Sequence, residues 1–269
     1  MTLKIATIPE DVEIVVIGDV HGRADLLMAL VEYFELSAEL DSDERFAFVF
    51  LGDLIDRGPE SAGAIKTALE AVERHPGSVI ILGNHEEWMR DVASGPDPWH
   101  AWDCWYYEGG AKTLASLGIS AAMDVRDIAQ GLNMDETVQR LLAVSVDAAC
   151  DSRRIYAHAG IRPHVPLDEQ RSFDLRWIRR DFIESRADHG RTVVHGHTIT
   201  ESEFPELHPN RVALDTGAFL SGRLTAAWFK PDGTSGFVMA QGAPRYLEDN
   251  EHDEPMPIRI GPVEPVRAD

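Results

Sequence analysis

Eleven polar residues of this 269-residue chain fall in five short clusters whose make-up suits metal and proton chemistry. "GDVHG" carries Asp19 and His21, and "GDLIDRG" carries Asp53, Asp56 and Arg57. "GNHE" carries Asn84, His85 and Glu86, "HAGI" carries His158, and "HGHT" carries His195 and His197. Taken singly, each has an ordinary explanation, since Asp and Asn favour turns and helix N-caps and a lone His is usually a hydrogen-bonding residue. Jointly the explanation fails, because turn chemistry does not call for histidine, and four of the five clusters hold one. Carboxylate, amide oxygen and imidazole together suit borderline divalent metals such as Mn, Fe or Zn. Asp19, His21, Asp53, Asn84, His158 and His197 make six ligands, more than one tetrahedral ion needs. Two ions roughly 3.5–4 Å apart, sharing one carboxylate, account for the surplus. Asp53 lies mid-order and is the natural bridge.

Each cluster must be positioned by the element before it. Five β-branched or aromatic runs read as strands, at 12–18, 45–52, 78–83, 153–157 and 191–194, and each ends where a cluster begins. In open α/β sheets the ligand site lies beyond the carboxyl ends of the strands. The first two runs are followed by helical spacing: Leu26, Leu27, Leu30, Val31 and Phe34 after the first, and Ile65, Leu69 and Val72 after Pro59. Strand, helix, strand, helix, strand implies parallel βαβ units.

Residues 86–150 interrupt this alternation with a helical insertion holding Trp88, Trp99, Trp102, Trp105, Tyr106 and Tyr107. It reads either as a subdomain with an aromatic core or as a cap that overhangs the site. From 203 onward, "LDTGAFLSGRLTAAWF" and "GFVMAQG" suggest short strands of a second sheet. We expect one domain over 1–240 and a loosely held, acidic, proline-rich tail over 241–269.

Composition narrows the partners. A formal net charge of −21 argues against a nucleic-acid partner, because the phosphate backbone would be repelled. It does not disfavour a small phosphorylated substrate, which responds to local charge in a cleft. No apolar run approaches the roughly 18 residues of a membrane span, so no membrane partner is expected. The N-terminus lacks the order of a secretory signal. The two cysteines, Cys104 and Cys150, form no CxxC pair, and a cytoplasmic location fits.

Read together and in order over about residues 12–200, GDVHG, GDLIDRG, GNHE, HAG and the final GH resemble the binuclear metallophosphoesterases, and within them the phosphoprotein phosphatase family of Ser/Thr phosphatases. The resemblance implies an α/β fold, a β-sandwich of two mixed sheets flanked by helices, with two divalent metals at its edge, Mn2+ the first choice. It assigns Asp19, His21 and Asp53 to the first metal, and Asp53, Asn84, His158 and His197 to the second. It makes His85 the proton donor, Asp56 its partner and Arg57 a phosphate clamp. "DLRWIRRDF" resembles the family's Trp-x-Arg segment, which makes Arg179 a second clamp. Arg180 beside it is either a further substrate contact or part of a solvated helix face. Asn84 and His85 would also touch substrate. Ile199 stands where many superfamily members carry a further metal-binding His, and His195 is read as structural.

The implied activity is hydrolysis of phosphomonoesters, of the Ser/Thr phosphatase kind, through attack of a metal-bridging hydroxide. The alternative is hydrolysis of dinucleoside polyphosphates, because the symmetrical diadenosine tetraphosphatases share GDVHG, GNH and HAGI. Retention of Asp56, and Glu86 in place of the Asp expected of those enzymes, favours the monoesterase. A non-catalytic scaffold is set aside because no ligand is missing.

Overall fold

In the computed structural model, which describes residues 3–40, 45–244 and 257–268, the strand Glu13–Ile17 alternates between two apolar environments. Val15 and Ile17 pack with helical residues such as Leu26 and Leu27, while Ile14 and Val16 pack with Tyr156, Val194 and Val212 of another sheet. Period-2 alternation with both faces apolar is what a strand buried on both sides requires. Counting Ile5–Thr7 as β1, this strand is β2. It pairs in parallel with β3 (Phe46–Phe50), and β3 with β4 (Val79–Ile80). Helices α1 (Ala24–Leu40) and α2 (Ser61–Arg74) connect them, as the βαβ spacing predicts.

The later strands divide between two sheets. β5 (Ala148–Cys150), β6 (Arg154–Tyr156), β7 (Thr192–His195), β8 (Glu206–Leu207) and β9 (Arg211–Ala213) lie in the first, ordered β1-β5-β6-β7-β9-β8. β10 (Arg223–Phe229), antiparallel to β2, and β11 (Ser235–Gln241), antiparallel to β10, extend the second in the order β11-β10-β2-β3-β4. This is the expected mixed α/β sandwich with helices on its outer faces. Two details differ from expectation. The five early strands do not share one sheet, and the strands after residue 203 do not form a sheet of their own but complete both.

The C-terminus corrects the expectation of a loosely held tail for its final stretch. β12 (Arg259–Pro262) pairs with β11, and β13 (Val266–Arg267) pairs with β8, so the last residues edge both sheets. Proline is tolerated at such edges because no neighbouring strand needs its N–H. Residues 245–256, the acidic part of that tail, lie outside the described residues.

The insertion is helical from α3 (Asn84–Ser94) through α4 (Pro98–Trp105), a kink at Gly109, α5 (Ala111–Ser116) and α6 (Val125–Met134) to α7 (Glu136–Val144). Asp97, Asp124 and Asp135 cap α4, α6 and α7 by accepting backbone N–H bonds. Trp105, Leu114, Ile128, Leu132, Val138 and Leu141 join the core shared with α1 and α2. Trp105 is buried in that shared core, while Trp99, Tyr106 and Tyr107 are exposed. No helix of the described residues is long and apolar enough to cross a membrane.

Candidate active site and metal centre

The strand ends bring the clusters together. Asp53 follows β3, and its carboxylate Oδ2 lies 3.4 Å from His158 Nε2, 3.7 Å from His21 Nε2 and 3.8 Å from His85 Nε2. Two compact groups result, His21–Asp53–His85 and Asp53–His158–His197, and Asp53 belongs to both. The first group holds His85 where the resemblance assigns Asp19. Asn84 Oδ1 joins the second group, 2.9 Å from His158 Nε2.

Backbone carbonyls orient the imidazoles. His21 Nδ1 donates to the Ile55 carbonyl at 2.9 Å, and His158 Nδ1 donates to that of Leu51 at 2.8 Å. Each bond turns Nε2 inward, the arrangement that fixes the tautomer of a metal-binding histidine. Burial pushes His21 well below its ordinary value and His197 down to about 2, which keeps both neutral, the form that ligates.

Asp19 stands outside the two compact groups. Its Oδ2 accepts the His197 N–H at 2.9 Å, and its Oδ1 is buried without a hydrogen-bond partner among the described residues, as is His197 Nε2. The glycines of the motifs allow this crowding: a Cβ on Gly196 would overlap Asp19 Oδ1, and one on Gly83 would overlap Asp53 Oδ1. Orphaned inward donors and converging mixed N and O ligands fit a pair of divalent cations.

Further buried carboxylates add to the case. Glu86 is pushed up to about 7 by burial and by Asp53, and Asp215 up to about 6 by burial and by Asp53. Burial and the neighbouring Asp215 and Asp53 raise Asp19 well above its ordinary value. Several acids crowded into one dry volume are unfavourable unless a cation shares it. Asp215 was not among the expected site residues, although "LDTG" follows β9 as the other clusters follow their strands. Glu86 braces two motifs: its carboxylate accepts from Gly83 N (3.0 Å), Asp53 N (2.9 Å) and Leu54 N (2.8 Å).

The backbone here is strained. His21, Asp53, Asp56, Arg57 and His197 all have positive φ, between 45° and 72°. Such conformations cost on the order of 1–3 kcal/mol each and persist where the surroundings over-determine them.

Asp56 and His85 form a buried pair. His85 Nδ1 donates to Asp56 Oδ2 at 2.6 Å; the same oxygen accepts Trp105 Nε1–H at 2.7 Å, and Asp56 Oδ1 accepts the Thr113 hydroxyl at 2.5 Å. Burial raises Asp56 above its ordinary value, and the three donors work against that rise. Burial alone would lower His85, but the Asp53 and Asp56 carboxylates outweigh it and raise it. Trp105 and Thr113 come from the insertion, and no sequence signal near Asp56 marks them.

Arg57 reaches over the cluster, its Nη1 3.4 Å from His21 Nε2 and its Nη2 3.3 Å from His85 Nε2. Arg179 is exposed at the rim, and its charge lowers His197. Arg180 is not brought in. Its Nε donates to both oxygens of Glu184, 3.0 Å away on an exposed helical turn, as the solvated-face alternative requires. Earlier in the "DLRWIRRDF" stretch, the buried Arg176 is structural, tying Glu87 to Asp147.

Comparison with known proteins places this geometry. Residues 12–218 match the family described as calcineurin-like phosphoesterase. A serine/threonine-protein phosphatase 1 of Salmonella typhimurium is 29% identical over 222 residues, covering 79% of this chain and 89% of that protein. A symmetrical bis(5'-nucleosyl)-tetraphosphatase of Bordetella pertussis is 26% identical over 263 residues, covering 78% and 90%. Among solved structures, a putative diadenosine tetraphosphatase superposes with a TM-score of 0.57 at 21% identity, covering 88% of this chain and 98% of that one, which bears on the fold.

Proposed function

This chain belongs to the calcineurin-like phosphoesterase family, and on that premise we propose that it hydrolyses phosphomonoesters, with phosphorylated serine or threonine as the favoured substrate class. The coarser activity, metal-dependent hydrolysis of phosphate esters, comes with the family and its phosphatase-named relatives. The observation that carries the finer reading is the buried Asp56–His85 pair at 2.6 Å. An alkoxide is a poor leaving group and needs a proton, whereas a nucleotide phosphate leaves as a weakly basic anion and does not. A histidine held protonated by a carboxylate is what monoester cleavage requires.

Asp19, His21 and Asp53 would hold one divalent ion, and Asp53, Asn84, His158 and His197 the other, with manganese the first to try. Such a pair supplies, when bound, Lewis acidity and a water acidic enough to serve as nucleophile near neutral pH. The chain's own groups do the rest. Arg57 and Arg179 offer planar forks to the phosphoryl oxygens and take up charge as it develops. His85 gives the proton on Nε2 to the departing oxygen while Asp56 keeps Nδ1–H and the ring plane fixed. Trp105 and Thr113 keep Asp56 from turning away.

The second reading, cleavage of a dinucleoside polyphosphate, draws on the tetraphosphatase among the similar proteins. One assay set separates the two: manganese-loaded protein with p-nitrophenyl phosphate, its bis-ester, a phosphoserine peptide and diadenosine tetraphosphate. Turnover of the phosphoserine peptide supports the monoesterase; turnover confined to the tetraphosphate would sink it.

A further inference from the structure

The helices on either side of Tyr106–Gly110 meet at a kink at Gly109, which lies directly against the Asp56–Arg57 turn. Gly109 adopts φ 106°, and a Cβ there would come within 2.6 Å of the Arg57 backbone nitrogen. Only glycine gives both that conformation and that approach. The result is that Glu108 is delivered to the Arg57 guanidinium, with its Oε2 3.0 Å from Nη2. The guanidinium also lies over the Phe219 ring, 4.8 Å from its centroid.

We propose that Glu108 is a positioning residue for Arg57, holding the guanidinium over the candidate metal site in the orientation that receives a phosphoryl group. The inference rests on the reading of Arg57 as a phosphate clamp. Its physical basis is electrostatic. An arginine whose two Nη atoms face His21 and His85 points at the same volume that the cations would occupy, and like charges drive it outward. Stacking on Phe219 limits the swing of the side chain but supplies no opposing charge. The Glu108 carboxylate supplies that charge from the outer side. Each Nη carries two N–H groups, so engaging one on Nη2 leaves the inward-facing ones for substrate.

Glu108 acts through Arg57 and would not itself contact the reacting atoms. Its side chain is 45% exposed, so truncation leaves no buried cavity and the fold should survive. That exposure also sets the scale, since half-exposed ion pairs are modest and salt-sensitive.

The test is a double-mutant cycle between Arg57→Ala and Glu108→Ala, with Glu108→Gln as the conservative variant. Binding of inorganic phosphate to metal-loaded protein is measured by calorimetry, and KM and kcat with p-nitrophenyl phosphate, beside the Tm of each variant. Glu108→Ala should weaken phosphate binding and raise KM by about fivefold, the scale of such a pair, with little change in kcat or Tm. Glu108→Gln, which keeps an acceptor without charge, should fall between. In the Arg57→Ala background the loss of Glu108 should change nothing. The proposal is overturned if Glu108→Ala binds phosphate as tightly as the parent or tighter, or if its cost persists without Arg57. If Arg57→Ala alone binds phosphate like the parent, the clamp reading itself has failed, and this inference goes with it.

Discussion

Asp56 Oδ2 and His85 Nδ1 lie 2.6 Å apart, and both side chains are almost wholly closed to solvent. The pair joins the "GDLIDRG" and "GNHE" motifs, 29 residues apart in the chain. A carboxylate in that place both orients the ring and stabilises its charged form. The consequences for proton donation, metal loading and phosphate binding can be measured separately.

Replacing His85 with Asn should remove the proton donor while leaving a polar residue of smaller volume. Turnover of an alkyl phosphate should fall by about 10²–10⁴-fold, the usual worth of general acid catalysis. Nitrophenyl phosphate, whose leaving group needs little protonation, should lose far less. Steady-state kcat for both substrates decides the matter, and equal losses would refute the donor role.

Asp56→Asn should move the alkaline side of the pH–rate profile. The Asp53 and Asp56 carboxylates raise His85, so the protonated acid persists to higher pH than burial alone would permit. Activity that needs the protonated form is lost as pH rises through that value. Without the Asp56 charge the value falls, and the alkaline limb of kcat should shift to lower pH. An unmoved limb would show that Asp56 does not charge the donor.

Chelation should abolish activity and lower stability together, with manganese restoring both. At metal concentrations near 100 times Kd, binding contributes about 2.7 kcal/mol, or about 5–10 °C in Tm for a chain of this size. Asp215, pushed up to about 6, and the raised Asp19 should also lose protons on loading near pH 6. Calorimetry in buffers of different ionisation enthalpy reads that release. A Tm indifferent to chelator would mean that these acids hold no cation.

The two neighbouring arginines of the "WIRRDF" stretch should behave differently. Arg179→Ala should raise KM and weaken inhibition by inorganic phosphate. Arg180→Ala should leave both unchanged, because Arg180 is engaged with Glu184 in solvent and such pairs are worth about 0.3–0.5 kcal/mol at most. Phosphate inhibition constants for the two variants test the assignment; similar effects from both would overturn it.

Much of the site was legible in the sequence because its residues sit at fixed short offsets from strand ends. A run such as Glu13–Ile17 or Phe46–Phe50 announces itself through β-branched and aromatic residues, and the next few positions must then fall at the sheet's carboxyl edge. Histidine recurring at those edges carried the metal reading without any knowledge of the fold. The pairing of Asp56 with His85 came only from the family resemblance that the "GDLIDRG" motif carries.

Packing decided what no local pattern encodes. Trp105, Glu108 and Thr113 meet Asp56 and Arg57 across 49 to 57 residues of chain, because the insertion buries its apolar face against α1 and α2. Helical periodicity shows which face is apolar but not what its polar edge will touch. The same holds for the sheets. Strand propensity does not name a strand's partner, so only the tertiary structure could divide the early strands between two sheets and set the short final strands on their edges. Local sequence fixed the kind of chemistry here, whereas long-range burial fixed which side chains hold it in place.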